Sequence, residues 1–283
     1  MTRYLLLSLL AISSSAGAIV VRSDVDDARY HAPASVLPAL ADLPGQGHGV
    51  LIAPQWVLTA AHLIGQLPLE EVTIDSEPRR VERIVVHPGY TRVPEWMVNQ
   101  AHVSGDTTRL TAFMASRDDL ALVKLVSPID GVAPLPMYRG ADELGQTVEL
   151  IGKGATGNGT HGELLKSPLR TRLRRAFNVV EGADGRWLSY TFDSPPAGLP
   201  LEGSPGTGDS GTPVIVEHQG RRQLAGLGLW NTFGPGKQRA LHGGLYGQVV
   251  YAARISRYGE WIESVMSAYG SNPDAAGNPT PRD

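Results

Sequence analysis

Cysteine is absent from this chain of 283 residues. The protein therefore has no disulfide, no zinc–thiolate site and no thiol nucleophile. Small exported domains commonly depend on disulfides, so an exported chain of this composition must be stabilised by its hydrophobic core. Such a protein fits a bacterial cell envelope or medium better than it fits the class of disulfide-built modules.

A strong net charge is lacking too. The formal net charge is -3, which favours neither nucleic-acid binding nor attraction to an anionic membrane. Long apolar runs are missing after residue 18, so the sequence predicts no membrane span in the rest of the chain. The 42% of hydrophobic residues is ordinary for a soluble globular protein.

The N-terminal segment MTRYLLLSLLAISSSAGA (1–18) contains the main apolar run. It carries one early charge, Arg3, then an apolar stretch, and it ends in the small residues of AGA (16–18). This pattern predicts a secretory signal peptide over residues 1–18, with export to the periplasm or the medium and no membrane attachment after its removal. A buried N-terminal helix is the alternative.

Short runs rich in β-branched and aliphatic residues alternate with frequent glycine and proline, 33 and 21 residues respectively. This pattern is typical of an all-β sandwich or barrel. The predicted strands are residues 49–53, 56–60, 83–87, 120–125, 147–152, 212–216, 223–230 and 247–253. One helix is predicted near the end, where apolar residues from Ile255 to Tyr269 recur at three- and four-residue spacing, before Gly270 ends it and a flexible tail follows.

The segment SPGTGDSGTPV (204–214) places Ser210 between glycines, directly after Asp209. A hairpin loop would explain the glycines. A turn that presents Ser210 as a nucleophile would also explain the hydrophobic run that follows. A serine nucleophile needs a neighbouring base. Of the eight histidines, His62 is the best candidate because it ends the aliphatic run WVLTAAH. Asp119, directly before the run LALVKL, is the candidate acid that orients it, with Asp118 as the competitor.

The chain order is histidine, aspartate, serine, which is the order of the chymotrypsin-like double barrel. The α/β-hydrolase elbow is disfavoured because Thr212 stands where that motif needs a glycine. The segments TAAH (59–62), DLAL (119–122) and GDSG (208–211) resemble the three signature segments of the trypsin-like serine proteases, here without cysteine. Further similarity at 19–20, 87–90, 229–230 and 257–262 extends the resemblance over nearly all of the mature chain.

The resemblance implies an all-β chymotrypsin-like fold of two six-stranded antiparallel β-barrels with a C-terminal α-helix. The N-terminal barrel spans residues 19–135, the C-terminal barrel with the helix spans 136–269, and the tail is 270–283. It also implies that His62 is the general base, Asp119 its partner and Ser210 the nucleophile, with the backbone N–H groups of Gly208 and Ser210 as the oxyanion hole. Ile19 and Asp209 are the implied activation pair, and cleavage after residue 18 would itself expose the Ile19 amine.

The specificity pocket carries several departures from the family pattern. Ser204 stands where trypsins have an aspartate, with Glu202 nearby. The pocket wall resembles Leu229-Trp230-Asn231, with Asn231 at a usual glycine, and Val249 is aligned with a second one. These residues predict small or medium apolar side chains before the cleaved bond. The poorly patterned segment between Tyr90 and Arg117 is a candidate substrate loop.

Other departures concern the activation mechanism and possible metal binding. Val21 and Arg22 replace the two glycines that usually follow the Ile-Val start. Glu70, Glu71 and Glu77 lie where some relatives bind calcium, but three glutamates are more often a solvated loop, and no metal or cofactor is expected.

The sequence thus predicts a secreted, monomeric serine endopeptidase with polypeptide substrates. The alternatives are a catalytically silent protease-like binding protein and a narrow-specificity esterase or processing enzyme.

Overall fold

The structure is a computed structural model that describes residues 19–43, 47–65, 68–164, 172–233 and 243–270. The predicted signal peptide (1–18) lies outside the described residues. The predicted tail lies outside them too, except for its first residue, Gly270.

The first half of the chain forms a closed antiparallel barrel of six strands. The strands of this half are β1 Val20–Val21, β2 Leu40–Leu43, β3 Gly47–Ala53, β4 Trp56–Thr59, β5 Glu71–Ile74, β6 Glu77–Val86 and β7 Ala121–Leu125. Strands β2 to β7 close the barrel in the order β2-β3-β4-β7-β6-β5. Strands β4 and β7 are buried along their whole length, so the predicted strands that precede His62 and follow Asp119 lie side by side in the wall.

Two helices stand between β6 and β7. They are α1 Glu95–Ser104 and α2 Thr108–Ser116. The sequence predicted a loop here because the segment is poorly patterned. Helix α1 has one buried residue, Ala101, and the apolar face of α2 is short, with Leu110 buried and Phe113 and Met114 partly buried. Their positions are instead set by contacts with the rest of the protein, which the local sequence does not encode.

The second half of the chain contributes ten strands. They are β8 Thr147–Gly152, β9 Gly157–Asn158, β10 Gly162–Glu163, β11 Arg174–Val179, β12 Gly182–Asp184, β13 Trp187–Thr191, β14 Gly203–Ser204, β15 Thr212–His218, β16 Arg221–Phe233 and β17 Gln248–Arg254. Seven of them form one sheet in the order β11-β8-β15-β16-β17-β13-β12.

In the described residues this sheet is a half-barrel rather than the expected closed six-stranded barrel, and it has a seventh strand for a local reason. Strands β11 and β12 follow each other in the chain but lie at opposite edges of the sheet. Val180 donates its N–H to the carbonyl of Gln146, the residue before β8, at 3.0 Å. The next residue, Glu181, donates its N–H to the carbonyl of Ser189 in β13, near the opposite edge of the sheet, at 2.9 Å. One expected strand is therefore divided in two as it crosses between the edges, and the chymotrypsin-like fold is retained.

A small four-stranded sheet fixes the start of the described chain. Its order is β10-β9-β1-β14, with Val20 paired to Ser204 and Val21 paired to Gly203. The segment that begins at Ile19 is thereby held against the loop that leads to Ser210.

The C-terminal helix packs on the core as the sequence predicted. Helix α3 spans Gly259–Gly270 and follows a one-turn 3₁₀ helix at Ile255–Arg257. Tyr258 and Ile262 are buried in a cluster that also includes Leu122 of the first barrel and Leu227 of the second sheet. This cluster joins the two halves, and a second apolar cluster, which includes Ile19 and Val148, lies apart from it.

Candidate active site

His62 lies in the one-turn 3₁₀ helix Ala61–Leu63, just after the buried strand β4. Ala60 and Ala61 are fully buried, and their small side chains let the chain turn close to its neighbours. The imidazole remains 23% exposed. The backbone therefore anchors His62 in the first barrel and leaves its ring at the surface of a cleft.

Asp119 holds His62 through two hydrogen bonds. Its Oδ1 accepts the backbone N–H of His62 at 2.8 Å, and its Oδ2 lies 2.9 Å from Nδ1 of the same residue. Burial by itself would raise the pKa of the Asp119 carboxyl, but His62 and the nearby Arg117 guanidinium hold that pKa below its usual range. The group is therefore an ionised carboxylate that fixes the histidine ring.

The competing acid, Asp118, is engaged elsewhere. It accepts a hydrogen bond from the Tyr258 hydroxyl at 2.9 Å and pairs with Arg186 at 2.9 Å. Its Oδ2 lies 3.6 Å from Nδ1 of His87. These contacts join Asp118 to the C-terminal segment, so the structure brings Asp119 rather than Asp118 to His62.

Ser210 comes from the second half and meets the first barrel beside His62. Its carbonyl accepts the N–H of His48 at 2.7 Å. A Cβ added at Gly47 would lie 2.6 Å from that carbonyl oxygen and 2.7 Å from Leu63, the neighbour of His62. A Cβ at Gly211, whose φ is +78°, would lie 2.0 Å from the His48 carbonyl. Gly47 and Gly211, one on each side of this contact, therefore leave room for the segment that carries Ser210 to approach the segment that carries His62.

Two peptide planes orient the N–H groups predicted for the oxyanion hole. The Thr207 carbonyl accepts the Ala155 N–H at 2.6 Å, and the Asp209 carbonyl accepts the Thr212 N–H at 2.9 Å. In a planar trans peptide the C=O and N–H point in opposite directions. The N–H groups of Gly208 and Ser210 therefore point away from these bonds. Gly208 has φ +88°, a conformation that glycine adopts without steric cost.

Asp209 is fully buried and faces the N-terminal segment. Its Oδ2 accepts from the Ile19 nitrogen at 3.2 Å and from the Gly206 N–H at 3.0 Å, and its Oδ1 accepts from the Gly154 N–H at 2.7 Å. Burial raises the pKa of Asp209 to about 6, against these hydrogen bonds. The structure thus brings together the two residues predicted as the activation pair.

The residues that replace the family's two glycines fit this arrangement. Val21 is buried in β1, and Arg22 donates from Nη1 to the carbonyls of Ala197 and Leu199 at 2.9 and 3.0 Å. The side chain of Arg22 thereby ties the N-terminal segment to the second half of the protein.

A cavity of about 290 Å³ opens beside Ser210. The predicted wall residues Leu229, Trp230 and Asn231 line it. The described residues that line the cavity do not include Ser204, which is fully buried in β14, with its backbone paired to Val20.

Three contributions to the cavity differ from what the sequence predicted. Helix α2 and its N-cap residue line the cavity with Thr107, Leu110, Thr111 and Met114, within the segment that the sequence marked as a candidate substrate loop but not as a helix. Val250 lines it, whereas the alignment had pointed to Val249. Strand β17 alternates its side chains between two faces, so an error of one residue moves the assignment to the other face. The pairing of Asn231 with Val250 across the sheet sets this register, which the sequence alone does not show.

Glu163 is the third. It lines the cavity and is buried, and its carboxylate accepts from the Thr207 N–H at 2.6 Å, the Thr207 hydroxyl at 3.0 Å and the Gly243 N–H at 3.3 Å. Glu202, the acid considered from sequence, instead accepts from the backbone of Asp193 and Leu199 at 2.5 and 2.7 Å. The cavity is thus lined by the acidic residues Glu163 and Asp209, and Glu163 comes from a segment that no sequence motif marked.

In the described ranges, no group of three or more His, Asp or Glu side chains is arranged to hold a metal ion. Glu70, Glu71 and Glu77 are exposed. Among the same residues, no helix has the length and apolar character needed to cross a bilayer.

Comparison with protein families gives a match that agrees with this geometry. The model of the family described as Trypsin matches residues 30–262, a range that contains His62, Asp119 and Ser210 and covers most of the chain. The protein therefore belongs to the trypsin family and is a trypsin-like serine protease.

Proposed function

We propose that the protein is an exported endopeptidase that hydrolyses peptide bonds through an acyl-enzyme intermediate. The observation that carries the proposal is the double hydrogen bond between Asp119 and His62, in a cleft that also receives the Ser210 loop. The Ser210 hydroxyl attacks the peptide carbonyl while His62 takes its proton, and Asp119 stabilises the imidazolium. His62 then protonates the leaving amine.

Water completes the reaction. His62 removes a proton from the water, the resulting hydroxide attacks the acyl carbonyl, and the proton returns to the Ser210 oxygen as the acid leaves. In both steps the negative oxygen of the tetrahedral intermediate is stabilised by the N–H groups of Gly208 and Ser210. One such donor is commonly worth about 10²–10³ in rate.

Export and activation are part of the same proposal. Removal of residues 1–18 leaves Ile19 with a free amine at the position where its nitrogen already lies 3.2 Å from Asp209. A buried carboxylate gains from such a charged partner, since an unpaired one costs several kcal/mol. N-terminal sequencing of active protein from the periplasm or the medium is expected to begin at Ile19; another start would overturn this part of the proposal.

The substrate preference is for small or medium apolar side chains before the cleaved bond. Leu229 and Val250 narrow the cavity, and the Glu163 carboxylate is occupied by hydrogen bonds from Thr207 and Gly243. A panel of chromogenic peptides that differ in this residue tests the preference, and a clear arginine preference would refute it.

A fluorophosphonate probe tests the triad directly. We expect one adduct, mapped by mass spectrometry to Ser210, and its loss in His62→Ala. His102→Ala, a change at an exposed histidine of α1, is the matched control and should label normally. Absence of labelling in folded protein that begins at Ile19 would favour the silent binding protein, and labelling without cleavage of any peptide in the panel would favour an esterase or a processing enzyme with one substrate.

A further inference from the structure

Arg117 is buried directly behind the Asp119 carboxylate. Its side chain is 7% exposed, and its Nη2 donates to Oδ2 of Asp119 at 3.0 Å. Its Nη1 donates to the Thr91 carbonyl at 2.8 Å, and its guanidinium carbon lies 5.0 Å from the centre of the Tyr90 ring. Burying an arginine is costly unless it is paired, and here three separate contacts hold it in one place.

The same oxygen of Asp119 therefore has two partners. Oδ2 is 2.9 Å from Nδ1 of His62 and 3.0 Å from Nη2 of Arg117. Together with the bond from the His62 backbone to Oδ1, these contacts fix the plane of the carboxylate. A planar guanidinium is well suited to this task because its donors have a fixed geometry.

The permanent charge of Arg117 has a second effect. It partly offsets the negative charge of Asp119. It also disfavours a positive charge on His62, because two cations would then lie against one carboxylate.

We propose that Arg117 is a positioning residue of the active site, which holds the Asp119 carboxylate in place and extends the activity of His62 towards acidic pH. This inference rests on the proposed function, because it assumes that His62 and Asp119 act on Ser210.

Other ionisable groups near the pair do not have this role. Burial raises the pKa of the Tyr90 and Tyr258 hydroxyls, so both are neutral over the working pH range. Asp118 is held by Arg186 and by the Tyr258 hydroxyl, and the Arg92 guanidinium lies near Gly65. Among the residues that the structure describes, Arg117 is the arginine that contacts Asp119 directly.

The test compares the pH dependence of kcat/KM in wild type, Arg117→Met, Arg117→Lys and Arg139→Met. In Arg117→Met we expect the acidic limb to move up by about one pH unit, with kcat at the plateau lowered about tenfold and KM nearly unchanged. Arg117→Lys keeps the charge, so its acidic limb should stay at the wild-type position while kcat falls. Arg139→Met, which removes an exposed arginine that pairs with Glu263, is the matched control and should leave the acidic limb unchanged.

A folded Arg117→Met protein with the wild-type acidic limb would overturn the inference. Should that variant not fold, Arg117→Lys against Arg117→Gln makes the same charge comparison, and both side chains keep a donor for the Thr91 carbonyl. Failure of the wild-type protein to react with the fluorophosphonate would instead reject the proposed function, so the two failures are distinguishable.

Discussion

The nitrogen of Ile19 lies 3.2 Å from Oδ2 of Asp209, a residue 190 positions later in the chain. Both residues are fully buried. Burial raises the pKa of Asp209 to about 6 from a usual value of 3.8. A positive charge on the Ile19 nitrogen would act in the opposite direction, because it favours the carboxylate. The covalent state of Ile19 therefore decides how Asp209 responds to pH.

We expect a chain with extra residues before Ile19 to lose stability as the pH rises through about 6. Its Asp209 binds a proton more tightly when folded than when unfolded, so the stabilisation is complete below about pH 4 and is lost above about pH 6. A difference of about two pKa units corresponds to about 3 kcal/mol. Urea unfolding at a series of pH values measures the free energy.

Two further proteins complete this comparison. The chain that begins at Ile19 carries the ionised amine and should not show the loss. The extended chain with Asp209→Asn has no titrating carboxyl there, so its unfolding free energy should lack this component. An extended chain whose stability is constant between pH 4 and pH 6 would contradict the argument.

The sequence was informative wherever function or burial restricts a short segment. The aliphatic strands before His62 and after Asp119 were predicted correctly, and they pair with each other in the barrel wall. The C-terminal helix was also predicted, although it begins at Gly259 rather than at Ile255. In these segments the spacing of the apolar residues agrees with the tertiary packing, so the element can be predicted from the sequence pattern alone.

The remaining features depend on contacts between distant residues. Glu163 acts on Thr207, 44 positions away, and Arg117 is significant because it reaches both Asp119 and Thr91. Helices α1 and α2 have short or weak apolar faces, and the sequence pointed to Val249 instead of Val250 because the register of β17 is set by its partner strands. No local pattern carries such information.

Asp119→Asn tests the acid of the proposed triad. The amide cannot accept hydrogen bonds at both atoms, so it disturbs the Nδ1–H tautomer of His62 that Asp119 now selects. We expect kcat/KM to fall by about 10³–10⁴ at neutral pH, measured with the best chromogenic peptide. Asp118→Asn changes the neighbouring carboxylate, which binds Tyr258 and Arg186 instead, and should retain activity. Equal losses in the two variants would argue against Asp119.

Val250→Gly tests the wall of the cavity. Removing this side chain enlarges the cavity beside Leu229 and Trp230, so peptides with a large apolar residue before the cleaved bond should gain relative to those with a small one. We expect their ratio of kcat/KM to rise about tenfold, since each methylene group in such a pocket is worth about 10-fold or more. Val249→Gly, one position earlier in β17 and not part of the lining, is the control. A larger change in selectivity in Val249→Gly would place the wall on the other face of the strand.

Glu163→Ala tests whether the loop 207–210, which carries the predicted oxyanion-hole N–H groups, is positioned by a residue outside the GDSG segment. Glu163 accepts hydrogen bonds from the N–H and hydroxyl of Thr207, and the next residue, Gly208, carries a predicted oxyanion donor. Without the carboxylate, one side of this loop loses its anchor, while the bond from Ala155 to the Thr207 carbonyl remains.

We therefore expect the Glu163→Ala variant to lose part of the contribution of one donor, which is about tenfold in kcat, with a smaller change in KM. Glu181→Ala removes an exposed glutamate that binds Thr191 and serves as the control. If kcat in Glu163→Ala stays at the control value, the loop is held by Asp209 and Ala155 alone, and the role of Glu163 is confined to the shape of the cavity.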